Sequence, residues 1–507
     1  MFAKVLSCAV VGLDGVLVEV ETDILNGLPV FTVVGLPDKA VEESKERVRS
    51  ALKNTGAEIP PKRITVNLAP GDLPKEGPSF DLPISISILS ASEQLRCDLS
   101  KSIFIGELSL DGSLRHTKGV LSTVLLALEK KLESVFIPEE NAPEASIVKG
   151  ITIYPAKNLR QVFLHLSGEK LIEPLKHMAF EDLETEELYD FDLKDIKGQE
   201  FVKRAVEVAV AGGHNILLKG PPGAGKTLIA RTVPSILPSL TFDEALEVTK
   251  IYSISGLLSS HTIMKQRPFR SPHHTTSHIG LIGGSANPKP GEVSLAHRGV
   301  LFLDEFPEYP RHVLEALRQP MEDGKVVISR ARERVNFPSR FMLIAAANPC
   351  PCGYYGDRTR SCSCTTLQIL KYQKRVSGPL LDRIDIHIDV PAVDVKKITD
   401  NSDEEGESSD SVRKRVEKAR KKQLKRFTGK RIVSNTEMSA KDIKHLIQIE
   451  EDARDILKNA VSSLGLSARS YHKVIKVAQT IADLAGKETV ETAHVLEALQ
   501  YRPKTTD

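Results

Sequence analysis

Gly220-Pro221-Pro222-Gly223-Ala224-Gly225-Lys226-Thr227 is the stretch of this 507-residue chain whose chemistry is easiest to read. Its glycines let backbone amides turn inward on an anion, and Lys226 adds a cation suited to the β and γ phosphates of a nucleotide. The Thr227 hydroxyl can ligate Mg2+. Ile216–Lys219 ahead of the loop is apolar enough for a strand, and Leu228–Thr232 begins a helical pattern. Strand, loop and helix in that order is the context a phosphate loop requires. The segment therefore predicts ATP bound with Mg2+.

Two later apolar runs end in polar groups. Gly299-Val-Leu-Phe-Leu closes on Asp304 and Glu305. At the end of a strand, Asp304 would orient Mg2+ and Glu305 would act as base toward the attacking water. Phe341-Met-Leu-Ile-Ala-Ala-Ala closes on Asn348. Its amide could touch the γ phosphate or place the water, although a strand-ending Asn also suits an ordinary turn. Just beyond lie Cys350-Pro-Cys352 and Cys362-Ser-Cys364. Four thiolates could close a tetrahedral, purely structural Zn2+ site. The spacing departs from the commoner C-x-x-C, and free thiols or redox pairs remain alternatives.

The rest of the chain must position these groups. Hydrophobic residues are 41% and charged residues 27%, which suits a globular protein whose length calls for several cores. Net charge is only +2, so any basic surface is local. No apolar run is long enough for a membrane helix, and the stretch before Cys8 is too short for a signal peptide. This predicts a cytoplasmic protein. Residues 1–170 mix strand patterns (Val16, Val18 and Val20; Phe31–Val34; Ile64–Leu68) with helical ones (Ala40–Leu52, Leu82–Ser90), an α/β domain. An acidic linker spans 171–195, a second α/β domain 196–392, and a flexible acidic stretch 393–411. Residues 412–507 have helical periodicity alone. Val412–Arg431 carries eleven Lys or Arg against Glu417, which suits either nucleic acid or a solvated helix face.

Several segments together carry a family resemblance: Gly-Leu-Pro-Asp38, Gly-Pro-Ser-Phe-Asp-Leu-Pro83, the phosphate loop, Pro-Phe-Arg-Ser-Pro-His-His274, Leu-Asp-Glu305, Ala-Ala-Asn-Pro-Cys-Pro-Cys352, Leu-Leu-Asp-Arg-Ile-Asp385 and Leu-Ser-Ala-Arg-Ser-Tyr-His472. The chain resembles AAA+ ATPases of the group that includes the Mg-chelatase motor subunit and MCM helicases, and within it the ComM/YifB family. The resemblance implies an AAA+ P-loop domain with a helical lid, preceded by a Lon-protease-like, ribosomal-protein-type α/β domain. It implies that Arg383 is a finger reaching a neighbour's site and Arg469 a second sensor, although an ion pair with Asp382 or Asp385 would also suit Arg383 and a surface role Arg469. Shared sites imply a homo-oligomeric, hexameric ring. Ile279–Glu292, with Lys289 near its tip, resembles one pore loop of that group; Val326–Arg334, with Arg330 and Arg332, resembles another. Cations there suit sequence-independent phosphate contacts.

The family reading is a DNA motor acting on single-stranded or branched DNA, a helicase for branch migration when incoming DNA recombines. Two rivals stand beside it. One is a chelatase-type ATPase remodelling a protein partner. The other is an ATP-dependent protease, because Gly77-Pro-Ser79 resembles Lon's nucleophile segment and Gly106–Gly112 the segment ahead of its lysine. Thr123 stands where that lysine would be, with Lys118 five positions away. A serine without a base is a poor nucleophile.

Overall fold

A computed structural model describes the chain apart from residues 184–188, 259–262, 286–287, 330–333, 358–359, 393–405, 431 and 504–507. Arg330, Arg332 and most of the 393–411 stretch lie outside the described residues. The chain divides into two compact units, Met1–Thr185 with Phe242–Met264, and Glu186–Thr241 with Lys265–Asp507.

The first unit is built on a seven-stranded mixed sheet. Its order is Val30–Val34, Arg63–Ala69, Asp14–Leu25, Phe2–Val11, Ser102–Phe104, Ser134–Pro138 and Thr152–Ala156. Alternation sets the faces: Val18, Val20, Thr22 and Ile24 point inward along one strand. Helix Lys39–Asn54 starts where the Asp38 carboxylate accepts the Val41 N–H, and it buries Val41, Ser44, Val48, Ala51 and Leu52, one stripe at helical spacing. Helix Asp81–Ala91 is buried on nearly every side. Its first residue needs a partner there, and Arg47 provides it through Nε at 2.7 Å and Nη2 at 3.1 Å.

Phe242–Met264 falls inside the 196–392 span drawn from the sequence, yet it packs with the first unit. Helix Phe242–Ser255 buries Ala245, Val248, Ile251 and Tyr252. Ser253 Oγ donates to the buried carboxylate of Glu144 at 2.8 Å.

The second unit centres on a five-stranded sheet ordered Phe269–Arg270, Val300–Leu303, Met342–Ala347, Ile216–Lys219 and Ile386–Asp389, parallel throughout. Val300–Leu303 and Met342–Ala347 are wholly buried, as the apolar runs require. The C-terminal helices Ser409–Arg426, Glu451–Leu464, Ala468–Leu484 and Thr492–Gln500 share a hydrophobic core with this sheet. Both acidic stretches are pinned at their ends: Asp192 Oδ1 accepts the Ser409 N–H at 3.0 Å, and Ser409 Oγ accepts the Leu193 N–H at 2.7 Å. Val412–Arg426 of the basic run lies in helix Ser409–Arg426, whose Val412, Val416, Ala419 and Gln423 are buried. Arg415 pairs with Glu207 at 2.6 Å, and Arg426 pairs with the fully buried Asp483. Much of its charge is therefore structural. Among the described residues no helix is long and apolar enough to cross a membrane.

Removing one partner of a buried ion pair strands the other. Asp81→Ala should therefore lower the unfolding free energy of the first unit by about 3 kcal/mol. Denaturant unfolding followed by circular dichroism measures it, and a loss below about 1 kcal/mol would contradict a structural role for the Arg47 pair.

Candidate nucleotide site

Register decides the geometry. Lys219 pairs with Ala347 on one side and Asp389 on the other, and Leu303 pairs with Ala345. The residues that follow these strands leave the same carboxyl edge of the sheet: Gly220 onward, Asp304 with Glu305, and Asn348. Ligands of open parallel sheets bind at that edge.

Gly220 is required by close approach, because a Cβ there would lie 2.2 Å from the Val390 carbonyl oxygen. Gly223 and Gly225 take left-handed backbone conformations, and helix Lys226–Ile236 begins directly after them. Pro221 and Pro222 lie between, and the Ala224 carbonyl accepts from Gln199 Nε2 at 3.0 Å. Lys226 Nζ donates to the carbonyls of Gly220 at 2.8 Å and Pro221 at 2.9 Å, and to Asn348 Oδ1 at 3.1 Å. Burial pulls its pKa down while Asp304 pushes it back up. Thr227 Oγ1 donates to Asp304 Oδ2 at 2.7 Å. A hydroxyl and a carboxylate that already meet form a donor set that fits Mg2+. Lys226, Thr227, Asp304 and Asn348 are thus brought together.

Glu305 is exposed and holds a left-handed backbone at φ 49°, rare outside glycine. Its Oε2 lies 3.3 Å from His274 Nδ1. The His274 segment is fixed in turn by Tyr309, whose hydroxyl donates to the Pro272 carbonyl at 2.6 Å. Burial and the charges of Asp304 and Glu305 push the Tyr309 pKa upward, keeping it a neutral donor.

Arg383 and Arg469 are elsewhere. The Arg383 carbonyl accepts from Asn215 Nδ2 at 3.2 Å, and Asn215 stands before Ile216, at the amino edge of the sheet. Four residues of strand, about 13 Å, separate that edge from the phosphate loop. Glu322 gathers both arginines, Arg383 through Nη2 and Arg469 through Nη2 at 2.5 Å, and Asp382 lies 3.6 Å from Arg469. The hydrogen bond from Arg383 and the two positive charges hold the Glu322 carboxyl below its ordinary value.

This unit carries two hairpins. Gly283–Gly284 pairs with Lys289–Pro290, and Lys325–Ser329 pairs with Arg334–Pro338. They root side by side, with a Cβ on Gly283 falling 3.4 Å from Ile328 Cδ1. Lys289 is exposed.

The profile described as "Magnesium chelatase, subunit ChlI" matches residues 192–398. Those described as "Subunit ChlI of Mg-chelatase" and "Magnesium chelatase, subunit ChlI C-terminal" match 20–141 and 406–502. Competence protein ComM of Haemophilus influenzae is 45% identical across 99% of this chain and 97% of its own length. YifB of Escherichia coli is 42% identical across 97% and 96%, and an uncharacterized protein of Mycobacterium bovis 40% across 98% of each. The chain belongs to the ComM/YifB family of Mg-chelatase-like AAA+ ATPases.

In this family member the first unit brings the two Lon-like segments into contact, since the Gly106 N–H donates to the Ser79 carbonyl at 2.9 Å. Thr123 is buried and spends its hydroxyl on the Gly119 carbonyl at 3.1 Å. It offers a serine no base. The four clustered cysteines converge, with all ligand atoms within 4.8 Å of one another. Sequence reasoning missed Gln199, His274, Tyr309 and Glu322 as site residues. Pro-Phe-Arg-Ser-Pro-His-His274 was visible as a family segment; the partner of its histidine became visible only in three dimensions.

Lys226→Ala should abolish ATP binding, and Glu305→Gln should keep binding while stopping turnover. His274→Ala should leave binding intact and cut kcat by about tenfold or more, since positioned proton transfer contributes about 10²-fold or more. Equilibrium binding and steady-state hydrolysis check all three, and normal turnover in Glu305→Gln would refute the base.

Proposed function

We propose that this protein is a ring-forming, hexameric, ATP-driven DNA motor of the cytoplasm, a helicase that promotes branch migration on single-stranded or branched DNA. The observation that carries the reading is that the Arg383 backbone lies at the edge of the sheet opposite the phosphate loop of its own subunit, with Arg469 joined to Arg383 through Glu322. Cations at one edge and phosphates at the other favour a site completed by a neighbour, and closed head-to-tail contacts make a ring. Phosphoryl transfer needs such charge, and a finger supplied from outside makes hydrolysis depend on assembly.

Within one subunit the roles follow from contacts. The loop amides and Lys226 hold the phosphates, and Asn348, already on Lys226 Nζ, faces the γ phosphate or the water. Thr227 and Asp304 would hold Mg2+, which neutralises phosphate charge when bound. Glu305 takes the proton of the attacking water, with His274 orienting its carboxylate. Lys289, together with Arg330 and Arg332, which in sequence follow Ser329, would grip DNA phosphates whatever the sequence. The same reading gives Cys350, Cys352, Cys362 and Cys364 a structural Zn2+. The name of the Haemophilus influenzae relative, a competence protein, favours recombination of incoming DNA in natural transformation as the setting.

A second reading is a motor that remodels a protein partner; the matching profiles described as magnesium chelatase favour it. A DNA motor hydrolyses ATP faster with single-stranded or four-way-junction DNA. A protein remodeller does not, and absent stimulation in assembled protein would overturn the DNA reading. Replacing Lys289, Arg330 and Arg332 by Ala should abolish stimulation and spare basal hydrolysis. It should also make the salt dependence shallower by roughly 0.9 for each duplex phosphate that is no longer neutralised.

Arg383→Ala should bind ATP yet hydrolyse it about 10³-fold more slowly. Mixed with Lys226→Ala subunits it should recover part of the activity, because each supplies what the other lacks. Mixtures no better than either variant alone would rule out a shared site.

A further inference from the structure

The segment from Asn348 to Cys364 touches the nucleotide site in two places. Cys350 follows Asn348 by two residues, and the Asn348 amide receives Lys226 Nζ. Gly353, at φ 87°, lies flat against the phosphate loop: a Cβ there would stand 2.4 Å from Pro222 Cδ. The far end of the segment is anchored too. Cys364 precedes Thr365, which caps helix Thr366–Gln373, and Gln373 Nε2 reaches back to the Pro349 carbonyl at 3.3 Å.

Arg360 ties two turns of the loop together, donating to the Tyr354 hydroxyl at 2.8 Å and, through its N–H, to the Asp357 carboxylate at 3.0 Å, but these are surface contacts. Of the loop's described residues only Cys350 and Gly353 are buried. A segment without an apolar core gains most from a cross-link, and the sulfurs are arranged to supply one. Cys350 Sγ lies 3.4 Å from Cys352 Sγ and 3.7 Å from Cys362 Sγ, and Cys352 Sγ lies 3.5 Å from Cys362 Sγ. All are free thiols, and a disulfide would need about 2.05 Å. Four thiolates at about 2.3 Å from a tetrahedral Zn2+ stand roughly 3.8 Å apart, close to this spacing. Backbone donors support the sulfurs: the Cys352 N–H points at Cys364 Sγ and the Cys364 N–H at Cys362 Sγ, each at 3.4 Å.

We propose that this cluster is a strut for the phosphate loop: Zn2+ on the four cysteines keeps Gly353 against Pro222 and Asn348 against Lys226, so that metal occupancy sets nucleotide affinity. The proposal rests on the structural Zn2+ reading above. Four protein ligands leave no open position, so the metal positions the loop and takes no part in hydrolysis.

The test uses the full-length protein and separates the two layers. Elemental analysis should find about one Zn per chain, and Co2+ exchanged into the wild type should give a tetrahedral tetrathiolate spectrum. Protein that takes up neither metal overturns both the metal site and the strut. Equilibrium binding of a fluorescent ATP analogue, with Mg2+ resupplied, should weaken about tenfold after removal by a zinc-selective chelator and recover when Zn2+ is restored. Cys362→Ser with Cys364→Ser should lose metal and affinity together. Gly353→Ala should keep its Zn2+ and lose affinity, because its methyl group has no room beside Pro222. Bound zinc whose removal leaves nucleotide affinity unchanged would overturn the strut while leaving the metal site standing.

Discussion

Everything at the nucleotide site depends on one pairing: Ile216–Lys219 lies parallel between Met342–Ala347 and Ile386–Asp389 in a single register. That register brings the Gly220 N–H to the Ala347 carbonyl at 3.1 Å and puts Asn348 beside the phosphate loop. At the other end it ties Asn215 to Asp385 and Arg383. A slip of one residue would turn every side chain of Ile216–Lys219 to the opposite face. The phosphate-binding groups and the arginine pair are thus sent to opposite edges by the same hydrogen bonds.

The exposed carboxylate of Glu305 connects this edge to the hairpins. It meets His274, and the chain from His274 runs through Ser277, whose hydroxyl caps helix His278–Ile282, into the hairpin that carries Lys289. Leu281 and Val326 share a hydrophobic cluster, with Ile282 and Ile328 packed against it, so the two hairpins stand on one base. At the amino edge a second polar group joins lid and core. Lys473, four residues along the lid helix from Arg469, donates to the Ile384 carbonyl at 3.1 Å and lies 3.5 Å from Asp385. Burial by itself would raise the Asp385 carboxyl, but nearby positive charge, Lys473 foremost, holds it well below the usual range. Arg383 and Arg469 therefore sit on elements that are bonded to each other.

Local patterns in the chain determined a good deal by themselves. The phosphate loop, the strands ending at Asp304 and Asn348 and helix Lys39–Asn54 are short-range features, set by periodicity, glycines and caps that neighbours in sequence supply. The Lys226–Thr227–Asp304–Asn348 grouping was legible because each residue ends a strand or opens a helix at one edge of the sheet. The family was legible because its segments run through most of the chain. Long-range packing was not. Phe242–Met264 reads as part of the ATPase segment, and only its packing in three dimensions, with Ser253 bonded to Glu144, assigns it to the first unit. The basic run at 412–431 reads as a charged surface, but its Arg415 and Arg426 are matched to Glu207 and Asp483, which are remote in sequence. Arg383 has Asp382 and Asp385 beside it in the chain, yet its guanidinium goes to Glu322, 61 positions away, and shares it with Arg469. Sequence determined which groups exist and which edge of a strand they leave. Tertiary structure decided their partners, because charge pairing and burial are set by distance in space, which sequence separation does not encode.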